Sequence, residues 1–157
     1  MEPIAHSQQA GSTTILRELE MAINDEILAA YQYWTAYHMT RGPGKYDADP
    51  IFKEHMHEEW EHVELLAERI KELGGTFVTD TNKLRANAAA WFPIESGDVK
   101  YLAQHIYDAE DRAASKYARL AELTRDSDPG TYKIILQILA TEQEHRYELC
   151  TLKESLL

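Results

Sequence analysis

Two glutamate–histidine pairs, Glu59-x-x-His62 and Glu142-x-x-His145, and two single glutamates, Glu26 and Glu110, interrupt apolar rows spaced by threes and fours. The first two rows read Ile15, Leu19, Ala22, Glu26, Ala30, Tyr33, Tyr37 and Phe52, Met56, Glu59, Val63, Leu66, Ile70, Leu73. The other two read Val99, Ile106, Glu110, Ala113, Tyr117, Leu120 and Ile135, Ile138, Glu142, His145, Leu149, Leu152, Leu156. A buried ionised carboxylate is costly unless it is paired or metal-bound, so four of them in one core require cations. Four carboxylates neutralise two divalent ions, and imidazoles add directional nitrogen ligands. The spacing therefore implies a carboxylate-bridged dinuclear metal centre. Its nitrogen donors favour iron or manganese over magnesium and leave zinc open.

Glu-x-x-His alone is weak, since chance supplies about one in a chain of this composition. Three are present. The third, Glu54–His57, falls in the row Glu54, Glu58, Glu61, Glu64, Glu68, Glu72, which reads as a solvated face. Internal repetition sets the other two apart. Glu26 and Glu110 are 84 residues apart, while Glu59 and Glu142, like His62 and His145, are 83 apart. Tyr33 follows Glu26 by seven residues, and Tyr117 follows Glu110 by seven. Each half thus carries Glu-x6-Tyr on one element and Glu-x-x-His on the next.

The elements that must position these residues are helices. Breakers concentrate at Gly11, at Gly42-Pro43-Gly44 with Pro50, at Gly74-Gly75, at Pro93 with Gly97, and at Pro129-Gly130. Between them, residues 13–41, 51–73, 98–128 and 131–157 are rich in strong helix formers, and no run alternates at period two. The connections near 42–50 and 126–130 are short and join antiparallel neighbours. The connection from 75 to 97 is long enough to return along a bundle, and residues 81–91 within it suit a short helix. The expected fold is an all-α four-helix bundle, two helical hairpins joined by a long crossover. Residues 1–12 read as a flexible polar tail and 13–157 as one domain.

Composition narrows the function further. The chain has 157 residues with 16 Lys+Arg against 27 Asp+Glu, a net charge of −11 that repels polyanions and suits cations. DNA binding is disfavoured, the more so because Met1–Thr14 carries no Lys or Arg. No apolar window spans a membrane and no secretory signal is read, so a cytoplasmic location is expected. A single cysteine, Cys150, excludes an intrachain disulfide and reads as an inert thiol. His55, one turn before Glu59, reads as a partly buried structural histidine, the alternative being a support for the metal ligands, and His38 and His105 read as helix-face residues. Trp34, Trp60 and Trp91 read as packing or interface anchors.

Across essentially its whole length the constellation resembles the ferritin-like superfamily with a bacterioferritin-type ferroxidase centre. Tyr31-Gln32-Tyr33-Trp34 and the segment 67–75 look most like its Dps-like branch. The resemblance implies iron ligation by Glu26, Glu59, His62, Glu110, Glu142 and His145, with Glu59 and Glu142 bridging two ions per subunit. Tyr33 and Tyr117 match tyrosines that support those ligands. It also implies oxidation of Fe²⁺ by H₂O₂ or O₂, with ferric mineral stored in a homo-oligomeric shell as protection against oxidative stress.

The departures from the family pattern carry information. Trp60 replaces the residue that would ligate haem, so no haem is expected. Arg112 occupies one position of the cysteine pair of thioferritins. The chain after His145 is too short for a fifth helix, which favours a dodecamer over a 24-mer. Other readings are a non-storage di-iron or di-manganese peroxidase or catalase of rubrerythrin-like type, and a DNA-binding Dps.

Overall fold

The computed structural model describes residues 4–77, 80–86 and 93–156, with side chains from residue 13 onward. Five helices follow in order: α1 (Ile4–Met39), α2 (Lys45–Glu72), α3 (Thr81–Ala86), α4 (Val99–Thr124) and α5 (Pro129–Ser155). There is no strand among the described residues, only an isolated bridge between Arg41 and Asp98. Helix α1 packs most extensively on α2, and α4 on α5, forming the two expected hairpins, while α2–α5 and α1–α4 contacts close the bundle.

Helix boundaries differ from the sequence expectation in two informative places. Helix α1 begins at Ile4 rather than at residue 13, running through Gly11. One internal glycine costs about 1 kcal/mol, which a long helix absorbs. Helix α2 begins at Lys45 rather than at 51, with Pro50 inside it. So close to the N-terminus, proline removes a single interior hydrogen bond, and Gly44 supplies the preceding turn at φ 81°. The short crossover helix forms as α3; Asn87 to Trp91, with the role expected of Trp91, lie outside the described residues.

Local chemistry fixes the other ends. Asp98 accepts from the Tyr101 amide at 2.9 Å to cap α4, and Asp128 accepts from the Thr131 amide at 3.0 Å to cap α5. Arg69 of α2 reaches Asp128 at 2.8 Å and Thr131 Oγ1 at 2.9 Å, pinning the start of α5. At the other end of the bundle, Gly97 lies so close to α1 that a Cβ there would stand 2.0 Å from the Met39 carbonyl oxygen.

The core is two apolar clusters rather than one. Ile15, Leu19, Leu66, Ile70, Leu120, Ile135 and Ile138 belong to one, and Phe52, Leu102, Ile106, Leu149 and Leu152 to the other. Each cluster draws on all four long helices, so both grip the bundle above and below a layer of buried charge. That layer contains the six predicted site residues, none more than 3% exposed.

Candidate metal centre

Each long helix delivers its glutamate to the same level of the bundle. Donor atoms of Glu26, Glu59, His62 and Glu142 lie within 4.8 Å of one another, as do those of Glu59, Glu110, Glu142 and His145. Glu59 and Glu142 are common to both groups. The geometry is that of two adjacent cation sites, with Glu26 and His62 flanking one and Glu110 and His145 flanking the other. His62 Nδ1 stands 3.2 Å from Glu26 Oε2, 3.2 Å from Glu59 Oε2 and 3.3 Å from Glu142 Oε1. His145 Nδ1 stands 3.2 Å from Glu59 Oε1 and 3.7 Å from Glu110 Oε1.

The two tyrosines are placed reciprocally. Tyr33, from the first half, donates to Glu110 of the second at 2.5 Å, and Tyr117, from the second half, donates to Glu26 of the first. Tyr117 fixes Oε1 of Glu26 and leaves Oε2 facing His62, whereas Tyr33 fixes Oε1 of Glu110, the same oxygen that stands 3.7 Å from His145 Nδ1. Burial, with the adjacent Glu110 or Glu26 charge, holds both phenols well above their ordinary range, so both stay protonated donors.

Without metal, the layer balances its own charge. Burial, then the Glu59 charge, pushes Glu26 up to about 8. Burial and the charges of Glu59, Glu110 and Glu26 push Glu142 well above the usual carboxylate range. Burial also opposes ionisation of Glu59, but the adjacent His145 and His62 imidazoles outweigh it and hold Glu59 low. Glu110 is held low in the same way, with burial outweighed by the neighbouring Glu142 carboxyl and His145 imidazole. For His62, burial is outweighed by Glu142, Glu26 and Glu59, and the imidazole is pushed up to about 12. His145 is raised likewise, burial yielding to Glu110, Glu58 and Glu59.

The donor set fits divalent metal on a direct observation. Glu59 Oε1, both oxygens of Glu142 and Nδ1 of His145 are buried without a hydrogen-bond partner. Buried polar atoms are rarely left so, since each costs about 1–3 kcal/mol. These four orphans are the atoms shared between, or facing, the two sites. A cavity of about 310 Å³ between α1 and α4 reaches Glu26, Glu59, Glu110 and Glu142, with Arg112 among its lining residues.

Glu58 and Glu148, next to the centre, escape the sequence reading of their roles, and His55 takes the supporting place that was the alternative to a structural one. His55 is fully buried, with Nδ1 3.0 Å from the Tyr33 hydroxyl and Nε2 2.8 Å from Glu148. Glu58, assigned to the solvated row, instead meets Nε2 of His145 at 2.8 Å. The other five members of that row are exposed, as is His57, so the Glu54–His57 pair is outside the centre. A signal for His55 was available: Phe52, His55, Glu59, His62 and Leu66 form an unbroken three–four row. Trp34 and Trp60 are each 46% exposed, on the outside of the bundle.

Comparison with known proteins gives a consistent picture. A family model described as a ferritin-like domain matches residues 16–156. Among curated proteins, the chain is 33% identical over 91 residues to a DNA protection during starvation protein of Pyrococcus furiosus, covering 56% of this chain. The match spans about half, 49%, of that relative. Among solved structures, the bacterioferritin-related protein of Bacteroides fragilis, described as a dodecameric thioferritin, superposes with a TM-score of 0.91. It is 30% identical, over 95% of this chain and 90% of that one. Dps from Thermosynechococcus elongatus, 22% identical with a TM-score of 0.87 over 96% and 95% of the two chains, has the same fold.

Proposed function

The chain belongs to the ferritin-like domain family, and from that premise we propose that it is a ferroxidase that oxidises Fe²⁺ with H₂O₂ or O₂ and stores the ferric product. The observation that carries this reading is the pair of overlapping buried donor groups sharing Glu59 and Glu142, with their orphaned atoms between. Glu26 and His62 would hold one ion, Glu110 and His145 the other, and Glu59 and Glu142 would bridge. Two ferrous ions held together would supply two electrons that, with two protons, reduce one H₂O₂ to two waters and leave two Fe³⁺, without releasing hydroxyl radical.

The chain's own residues account for the rest. Tyr33 and Tyr117 keep Glu110 and Glu26 oriented, and Glu58 accepts from Nε2 of His145, leaving Nδ1 to face the centre. The cavity between α1 and α4 admits a small oxidant to the four carboxylates. In this reading the subunits form a dodecameric shell, as described for the Bacteroides relative. With Arg112 lining the cavity and Cys150 the single cysteine of the chain, no thiol is assigned to the centre in this reading.

Anaerobic Fe²⁺ titration, followed by a stoichiometric pulse of H₂O₂, tests the assignment. Wild type binds about two Fe²⁺ per chain and oxidises them rapidly, and Glu59→Ala loses both properties. Unchanged binding and oxidation in Glu59→Ala would sink the reading. Light scattering of the same sample gives the assembly mass, and a monomer or dimer would remove the storage role.

A further inference from the structure

The cavity between α1 and α4 is several times larger than a two-oxygen molecule fills. Its volume is about 310 Å³, whereas a water in the liquid takes about 30 Å³ and an apolar cavity of about 150 Å³ holds benzene. Its floor is the four buried glutamates, Glu26, Glu59, Glu110 and Glu142. Glu142, 1% exposed, brings to it two oxygens without a hydrogen-bond partner. Much of the wall is hydrocarbon: Leu28 and Ala29 from α1, Ala109 and Ala113 from α4, all half-buried. Ala29 and Ala113 are counterparts at the 84-residue offset, each three residues after the glutamate of its helix. Both helices thus have the same small side chain at this level, and the space a larger one would fill stays open above the glutamates.

The outer lining differs in charge from the rest of the chain. Lys116 of α4 pairs with Asp25 of α1, joining the two helices at the cavity. Arg112 lies one turn before Lys116 and Arg119 one turn after it, so three basic side chains stand against two acidic ones, Asp25 and Asp111. In a chain of net charge −11 this approach does not concentrate cations, and a neutral molecule is not repelled by it. Hydrocarbon walls offer H₂O₂ nothing in exchange for its hydrogen bonds to water. They favour a molecule with an apolar body, in proportion to the area it buries, and the few polar groups at the floor then orient it.

We propose that this cavity binds an organic hydroperoxide, ROOH, with its apolar group R against Leu28, Ala29, Ala109 and Ala113 and its peroxy group at the four glutamates. The inference names an oxidant class for the ferroxidase reaction proposed above and rests on that reading. Two Fe²⁺ each give up one electron, and the O–O bond breaks. One proton goes to the alkoxide oxygen to form ROH and a second to the hydroxide to form water. The products are two Fe³⁺, one alcohol and one water, and no alkoxyl radical is released.

Cumene hydroperoxide and its reduction product, 2-phenylpropan-2-ol, test it. Saturation-transfer NMR on the metal-free full chain is expected to show the alcohol bound, and Ala29→Leu and Ala113→Leu, which fill the cavity from opposite helices, to weaken that binding. Anaerobic stopped flow of the Fe²⁺-loaded chain is expected to consume one cumene hydroperoxide per two Fe²⁺ and to yield 2-phenylpropan-2-ol; one-electron cleavage yields acetophenone instead. Each leucine is expected to lower the rate constant for cumene hydroperoxide relative to that for H₂O₂ by about tenfold or more. No alcohol bound to wild type, acetophenone as the main product, or an unchanged ratio in both variants overturns the proposal. Oxidation by H₂O₂ but not by cumene hydroperoxide overturns it and leaves the ferroxidase reading standing, whereas oxidation by neither overturns both.

Discussion

Filling the buried layer with two divalent ions must expel the charge already there, and the structure fixes how much. At pH 7 the metal-free layer holds ionised Glu59 and Glu110, protonated His62 and His145, and protonated Glu142. Glu26, pushed up to about 8, is protonated in roughly nine chains of ten at that pH. Coordination needs every carboxylate ionised and both imidazoles neutral, so close to four protons leave per pair of ions. Four positive charges enter and four depart, keeping the layer neutral. With four protons linked to binding, the affinity for the pair rises on the order of 10⁴-fold per pH unit near neutrality.

The sign is definite: higher pH favours loading. Above pH 9 the Glu26 proton is largely gone beforehand, and release falls by about one. Anaerobic Zn²⁺ titration in two buffers of different ionisation enthalpy measures the number by calorimetry, and a weakly buffered indicator dye checks it. One proton or fewer per pair at pH 7 would refute the charge balance described above. It would mean that the carboxylates are ionised, and the imidazoles neutral, before metal arrives.

Two further outcomes follow from the packing of the bundle. Glu142→Met replaces a buried carboxyl whose oxygens have no hydrogen-bond partner, so in chelator the variant should be more stable by about 1–3 kcal/mol. It should also bind at most one ion in the buried layer; a lower melting temperature without metal would show that the carboxyl has structural value of its own. Gly97→Ala would force a Cβ to 2.0 Å from the Met39 carbonyl and strain the Arg41 amide–Gly97 carbonyl bond of 2.9 Å. A loss of about 1–3 kcal/mol on thermal denaturation, with metal stoichiometry unchanged, is expected, and an unchanged melting temperature would refute the close approach.

Much of the bundle was legible because periodicity and repetition are properties of the chain itself. The six buried donors share an offset of 83 or 84 residues, and one-dimensional spacing carries that relation intact into three dimensions. What escaped was what depends on neighbours. Pro50 looks like a break in isolation and is tolerated because α2 starts only five residues earlier, at Lys45. Glu58 belongs by spacing to an exposed acidic row, and only the approach of α5 turns it toward His145. No property of α2 alone announces that partner.

Repetition also explains where function departs from symmetry. Two similar halves packed about a common axis place equivalent donors on either side of it, so the inner ligands and the reciprocal tyrosines come in pairs. Nothing obliges the outer residues to pair, because they answer to solvent and to the apolar clusters rather than to the shared centre. At one offset position the chain has His55, polar and hydrogen-bonded through Tyr33 to Glu110; at the other it has Ile138, closing the apolar cluster. The Glu110 side is therefore linked to the bundle surface by an unbroken polar contact chain of Tyr33, His55 and Glu148, while Ile138 seals the equivalent position on the Glu26 side. Two ions held by matching ligands would thus experience different surroundings, and any difference in their affinity or order of loading must arise from that outer ring.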